Sequence, residues 1–189
     1  SLNFDGTNDF VLISDTLGTV GLSEFTAEAW VKVSGSTGEI QAVLSSTGTE
    51  SFHFQLSDSN IHNNAVYTNN GVLFLPVFPR TPHNVWRHIA LVAKSGATRV
   101  YVNGVQIGTT NTTTFDNVLV TNNMRIGSGF SSGRFFNGDI DEVRLWDRAL
   151  SAAEIQANAN CGLTGNECGL IAYYNFNNQN AFNSGNNTG

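Results

Sequence analysis

Short runs of β-branched and aromatic residues, broken by turn-forming residues at intervals of roughly eight to twelve, recur along almost the whole chain, and few folds accept that pattern. The sharpest case runs from Thr98 to Gly108, where Asn103-Gly104 separates two β-branched runs. Both central residues of a type I′ turn need positive φ, which Asn-Gly supplies at little cost, so this segment predicts a two-residue hairpin. Phe25 to Val33 alternates cleanly, with Phe25, Ala27, Ala29, Val31 and Val33 on one side. Trp86 to Ala93 is a strongly apolar strand, and Gln41–Ser45 with Ser51–Leu56 reads as an antiparallel pair. Leu2–Phe4 and Phe10–Ile13 flank the turn-forming Asp5-Gly6-Thr7-Asn8-Asp9 and read as another hairpin. Val72–Leu75, Met124–Gly127 and Leu170–Phe176 add further strands. One segment reads as helical: Ser151 and Glu154 form a capping box, and the helix extends towards Ala159. Strands without alternating helices exclude a doubly wound α/β fold. The expectation is an all-β, two-sheet antiparallel β-sandwich (jelly roll) with one short helix near 151–159. It occupies residues 1–176, and the Asn- and Gly-rich stretch 177–189 reads as a linker or the start of a following segment.

Composition narrows the function classes. The chain has 189 residues, is 40% hydrophobic and holds 13 Phe, so it has ample material for one core. Only nine Lys and Arg are present and the net charge is -6, which argues against nucleic acid as a partner. No apolar run is long enough to insert into a membrane. Cys161 and Cys168 bracket a short Gly- and Asn-rich loop that a disulfide closes easily, which suits an extracellular or cell-surface protein. A metal site there lacks further Cys or His to complete four ligands.

Phe136 to Trp146 reads as a strand, yet Asp139 and Asp141 lie two residues apart within it. Simple alternation places Asp139, Asp141, Val143 and Leu145 on one face, and Ile140, Glu142, Arg144 and Trp146 on the other. Carboxylates beside an apolar core need solvent, a basic partner such as Arg144 or Arg148, or a metal ion.

Five ordered blocks together resemble the laminin G-like domains of bacterial secreted and surface proteins, within the concanavalin A-like lectin and glucanase group. They are Phe4–Val11, Phe25–Val31, Trp86–Ala90, Tyr101–Gly104 and Gly138–Trp146, the last followed by Arg148-Ala149-Leu150-Ser151. The resemblance implies two face-to-face sheets, one with a concave side able to hold a ligand. It also implies a structural calcium ion, with Asp141 at the position of a ligating aspartate and Asp5, Asn8 and Asp9 as its companions. The chemistry suits that ion, because calcium takes six to eight oxygen ligands and the Asp5–Asp9 turn offers several. The turn lacks the spacing of an EF-hand.

The group includes lectins, binding modules, glycosidases and adhesion domains, so fold alone does not choose among them. Glycosidases need two carboxylates flanking the scissile bond. The nearest match here, Asp139-x-Asp141-Glu142, overlaps the calcium position. No G-x-S-x-G elbow, H-E-x-x-H or Gly-rich phosphate loop occurs. The expectation is therefore no enzyme but a calcium-stabilised binding module of a larger, multidomain exported protein. Its partner is a polysaccharide or other glycan; the alternatives are a protein partner in cell adhesion, or a spacer role. Trp30, Trp86 and Trp146 are expected in the core. The ligand candidates are His53, Tyr67 in an Asn-rich loop, Arg80 in the Pro-rich loop, and Phe130 and Arg134 in the Gly/Ser loop. A sugar binder should show exposed aromatics beside acidic or amide groups in one concavity, and a protein-docking module a larger apolar patch.

Overall fold

In the computed structural model, which describes residues 1–13, 22–35, 40–46, 52–57, 64–68, 70–76, 78, 82–117, 124–129 and 134–177, the alternating segments form strands in two sheets. The first five are β1 (Leu2–Asp5), β2 (Val11–Ile13), β3 (Glu24–Val33), β4 (Ile40–Ser46) and β5 (Phe52–Ser57). Then come β6 (Asn64–Thr68), β7 (Gly71–Leu75), β8 (Trp86–Lys94), β9 (Thr98–Val102) and β10 (Val105–Asn111). β11 (Met124–Ile126) and β12 (Asn137–Trp146) precede the helix α1 (Ala152–Asn158), and β13 (Leu170–Tyr174) closes the set. One sheet has seven strands in the order β1-β12-β3-β8-β9-β10, with β13 also paired to β12; the other has six, in the order β2-β11-β4-β5-β6-β7. Every pairing between these strands is antiparallel. The expected two-sheet sandwich is what the chain forms.

The core lies between the sheets. Phe25, Ala27, Ala29, Val31 and Val33 of β3 meet Leu44, Phe54, Val66 and Ile126 from the opposite sheet in one buried cluster. A second apolar cluster lies on the far side of the seven-stranded sheet, where Ala90, Val92, Tyr101, Trp146 and Tyr173 pack beneath Leu150 and Ile155. The helix responsible starts at a complete capping box: Ser151 Oγ accepts from the Glu154 N–H, and the Glu154 carboxylate accepts from the Ser151 N–H. The seven-stranded sheet is thus covered on both faces where the helix packs, a layer the resemblance did not specify.

The Asn103-Gly104 turn is as expected, with φ of 49° and 78° and Val102 facing Val105. Two expectations are corrected. β1 and β2 are not a hairpin: β1 pairs with β12 in one sheet and β2 with β11 in the other, so the Asp5–Asp9 turn carries the chain across the sandwich. The segment around Tyr67 is not a loop but the strand β6, paired with β5 and β7. Its Asn64 is drawn inward, accepting from the Gln55 N–H at 2.9 Å and donating to the Pro76 carbonyl at 2.9 Å.

Candidate functional site

β12 departs from simple alternation. Its register with β3 shifts between Asp141 and Arg144, and Glu142 sits at a φ of 50°, unusual for a residue with a side chain. This β-bulge inserts one extra residue and reverses which positions face the core. Before it, Ile140 is in the core; after it, Val143 and Leu145 are. Asp139, Asp141, Glu142, Arg144 and Trp146 therefore share the outer face of the seven-stranded sheet, correcting the alternation read from the sequence.

Cross-strand pairing builds that face row by row. Asn3, Asp139, Lys32 and Trp86 lie level across β1, β12, β3 and β8; Asp141, Trp30 and His88 form the next row. Tyr173, Arg144, Glu28, Ala90 and Tyr101 form a third. The helix covers the lower rows and leaves the upper ones open. There, half-buried Trp30 and Trp86, with Asp141 and Glu142, line a cavity of about 310 Å³. A neighbouring hollow of about 220 Å³ shares Trp30 and Glu142 and is walled by Arg144 and the turn after the helix, from Ala159 to Gly162. Of the three tryptophans expected in the core, only Trp146 is buried, at 2% exposure, and it belongs to the outer cluster. Trp30 and Trp86 instead wall the cavity. The alternation of β3 carried this signal, because Trp30 falls opposite to Phe25, Ala29 and Val31.

Buried polar groups support this floor. Glu28, wholly buried, accepts from Trp146 Nε1 at 2.8 Å and from Asn158 Nδ2 at 2.9 Å. Its second oxygen lies 3.3 Å from Nε2 of His88, also wholly buried, and the His88 ring packs against Trp30 with centroids 5.8 Å apart. Glu142 Oε2 accepts from Arg144 Nη2 at 2.7 Å and from the Tyr173 hydroxyl at 2.6 Å. Burial, reinforced by that carboxylate, pushes the Tyr173 hydroxyl up to about 12. Arg144 also donates to the carbonyls of Asn158 and Cys161, tying helix end and following turn to the sheet.

The two aspartates differ. Asp139 is bound by Lys32 at 2.6 Å and Asn3 at 3.0 Å; these contacts outweigh burial and hold its carboxyl below the usual range. For Asp141 burial dominates and pushes the carboxyl up, although the Ser1 amine lies 3.1 Å away. Neither pairs with Arg144 or Arg148, which hold Glu142 and Glu154.

Asp5 and Asp141, expected to share a calcium ion, do not lie together. β1 pairs Asp5 with Asn137, so Asp141 stands four residues further along β12, roughly 14 Å away at strand rise. Calcium–oxygen distances of about 2.5 Å cannot bridge that gap. Exposed Asp5 caps its own turn, accepting from the Thr7 and Asn8 N–H groups, while Asp9 accepts from the Asp5 N–H. Asn8 enters only through its backbone. Among the described residues no group of three or more His, Cys, Asp or Glu is placed to hold a metal ion.

The other ligand candidates lie on the six-stranded sheet or outside the described residues. His53 projects from β5 away from the core but is only 8% exposed; burial, followed by the nearby Arg134 charge, lowers its ring to about 4. His53 and Arg134 are thus neighbours in a closed region, remote from Trp30 and Trp86. Arg80, Phe130 and the Tyr67 side chain fall outside the described residues. Cys161 and Cys168 stand as exposed free thiols, not the expected disulfide, and each carbonyl is held by a different arginine, Arg144 or Arg148.

Comparison with known proteins fits this architecture. The concanavalin A-like lectin/glucanases superfamily, in its laminin G-like form, matches residues 5–156. A proposed carbohydrate-binding protein from Bacteroides ovatus ATCC 8483 is 24% identical, with a TM-score of 0.73 over 92% of this chain and 50% of that one. The heptameric SAP-like pentraxin of Limulus polyphemus is 18% identical with a TM-score of 0.66, covering 86% of this chain and 82% of its own. Domain 4 of the extracellular arabinanase AbnA of Geobacillus stearothermophilus, solved with arabinotriose, is 21% identical with a TM-score of 0.58, covering 75% and 68%. No curated protein sequence matches. With both sheets, their pairing and most of its length accounted for, the chain belongs to the laminin G-like family of the concanavalin A-like lectin/glucanase superfamily.

Proposed function

We propose that this chain is a non-catalytic glycan-binding module and that the Trp30–Trp86 cavity is its binding site. The observation that carries the reading is the pairing of two half-buried tryptophans with Asp141 and Glu142 in one concavity of about 310 Å³. Apolar ring faces suit the C–H surfaces of a pyranose, and carboxylate oxygens accept from its hydroxyls. Few, well-placed polar groups on an aromatic wall are the usual make-up of a small-molecule site. Arg144 and Tyr173 both donate to Glu142 Oε2, which fixes this carboxylate in the cavity wall. The fold relatives described as carbohydrate-binding or solved with arabinotriose agree with this choice.

A hydrolytic role is less well supported. Asp141 and Glu142 are adjacent along one strand rather than facing each other across a bound sugar, as a glycosidase pair does. Among the described residues the protein-docking alternative has no single apolar patch: exposed Phe10 and Leu12 lie at one edge of the six-stranded sheet, and Val72 and Phe74 at the other. A glycan-binding role fits an exported, multidomain setting, and calcium in this reading is an independent question of stability. Screening against a glycan array, followed by titration of the best hit into Trp30→Ala and Trp86→Ala, tests the site. Each change is expected to weaken binding at least about tenfold, or 1.4 kcal/mol. Binding that survives both substitutions removes the cavity from the proposal, and silence across the array removes the glycan.

A further inference from the structure

Charge is unevenly matched around the cavity. Four carboxylates, Glu28, Asp139, Asp141 and Glu142, lie on this part of the sheet, and Lys32 and Arg144 are the side-chain cations paired with them. Lys32 engages Asp139 and Arg144 engages Glu142. Glu28 is enclosed with His88, Trp146 and Asn158. Among the described residues Asp141 has no cationic side chain paired with it: the group beside it is the Ser1 amine, at 3.1 Å. It stands directly across from Trp30 and lines the cavity. The neighbouring tryptophan already shows how such a ring receives a cation, because the Lys32 ammonium lies 5.4 Å from the centre of the Trp86 ring.

Resting on the glycan reading above, we propose that the cavity selects sugars carrying a free, protonated amine, with the ammonium bound between Asp141 and the Trp30 face. A uronate entering the same space would bring its carboxylate against Asp141 and Glu142, which like-charge repulsion disfavours. An N-acetylated sugar keeps the ring stacking but forgoes both the ion pair and the cation–π contact. Burial, which pushes the Asp141 carboxyl up, is offset when a cation arrives, so the ionised aspartate gains a partner as the ligand binds.

The test is calorimetric titration, at low and physiological salt, of three matched oligomers: chitosan, chitin and galacturonan. Chitosan is expected to bind at least tenfold more tightly than chitin, with galacturonan weakest, and the chitosan preference should shrink with salt. Asp141→Asn should reduce that preference to about twofold, weakening chitosan binding far more than chitin binding. Equal affinity for chitosan and chitin, tighter binding of galacturonan, or a preference unchanged in Asp141→Asn each overturns the amine assignment while leaving glycan binding intact. If no oligomer of any charge binds and the array is also silent, the glycan reading itself falls.

Discussion

Replacing Glu28 probes whether the buried network beneath the cavity exists as described. Its carboxylate is wholly buried in the middle of β3, with Trp146 Nε1 and Asn158 Nδ2 donating to one oxygen and His88 Nε2 at 3.3 Å from the other. In Glu28→Ala the Trp146 indole N–H loses its acceptor while remaining 2% exposed, a loss of about 1–3 kcal/mol for an unsatisfied buried donor. Half-buried Asn158 can turn to water and contributes roughly 0.5 kcal/mol. The missing carboxylate and methylene volume adds about 1 kcal/mol through the cavity left behind. Relief of carboxylate desolvation offsets part of this, so the net expectation is about 3 kcal/mol. Glu28→Gln is the control: it keeps an oxygen for both donors and offers an amide N–H to His88, so it should cost less than about 1 kcal/mol. Urea unfolding followed by tryptophan fluorescence measures both. On melting, the alanine variant should lose roughly 6–12 °C for a chain of this size. Similar values for the two substitutions, or a cost below about 1 kcal/mol for alanine, would refute the network. Because His88 supports Trp30, the alanine variant should also bind the best array ligand more weakly than the glutamine variant does.

The other predictions concern single residues. His53 titrates near 6.5 unfolded and about 4 folded, so the stability due to its neutral ring is complete above 6.5 and is lost as pH falls towards 4. That loss approaches roughly 3 kcal/mol, and His53→Gln should flatten this part of the pH–stability curve. Asp139→Asn and Asp141→Asn should differ in sign at pH 7. The first removes a carboxylate held by Lys32 and costs about 0.5–1 kcal/mol; the second removes one disfavoured by burial and is neutral or stabilising. A larger loss at Asp141 than at Asp139 would refute this and favour an ion bound at Asp141. With calcium present, Asp9→Asn and Asp141→Asn should combine additively within about 0.5 kcal/mol, and a coupling above 1 kcal/mol would mean that they share an ion after all. Gly138→Ala should destabilise by more than about 2 kcal/mol, because its Cβ would clash with the Lys32 carbonyl oxygen on β3; denaturant midpoints give the answer directly.

Much of the fold is legible residue by residue. Alternation along β3 separates Phe25, Ala27, Ala29, Val31 and Val33 from Trp30. Asn103-Gly104 specifies its own hairpin, and Ser151 with Glu154 specifies where the helix begins. These are local consequences of backbone geometry and side-chain periodicity, so a linear sequence carries them. Three features escape that reading. The β1–β2 segment looks like a hairpin because its turn is local, but its partners β12 and β11 lie more than a hundred residues away and in different sheets. The faces of Asp139, Asp141, Val143 and Leu145 depend on one extra residue at Glu142, whose left-handed backbone is not encoded by glycine or asparagine. The exposure of Trp30 and Trp86, against the burial of Trp146, depends on how far the helix reaches over the outer face.

Short-range periodicity and turn chemistry are enough to specify an antiparallel sandwich of the laminin G-like family, its main turn and its helix cap. The Trp30–Trp86 cavity arises only from the packing of distant segments. A bulge in β12 turned the acids outward, and the helix covers part of that face while leaving two tryptophans beside them. Both depend on contacts between segments far apart in the chain, which no local pattern of residues can specify.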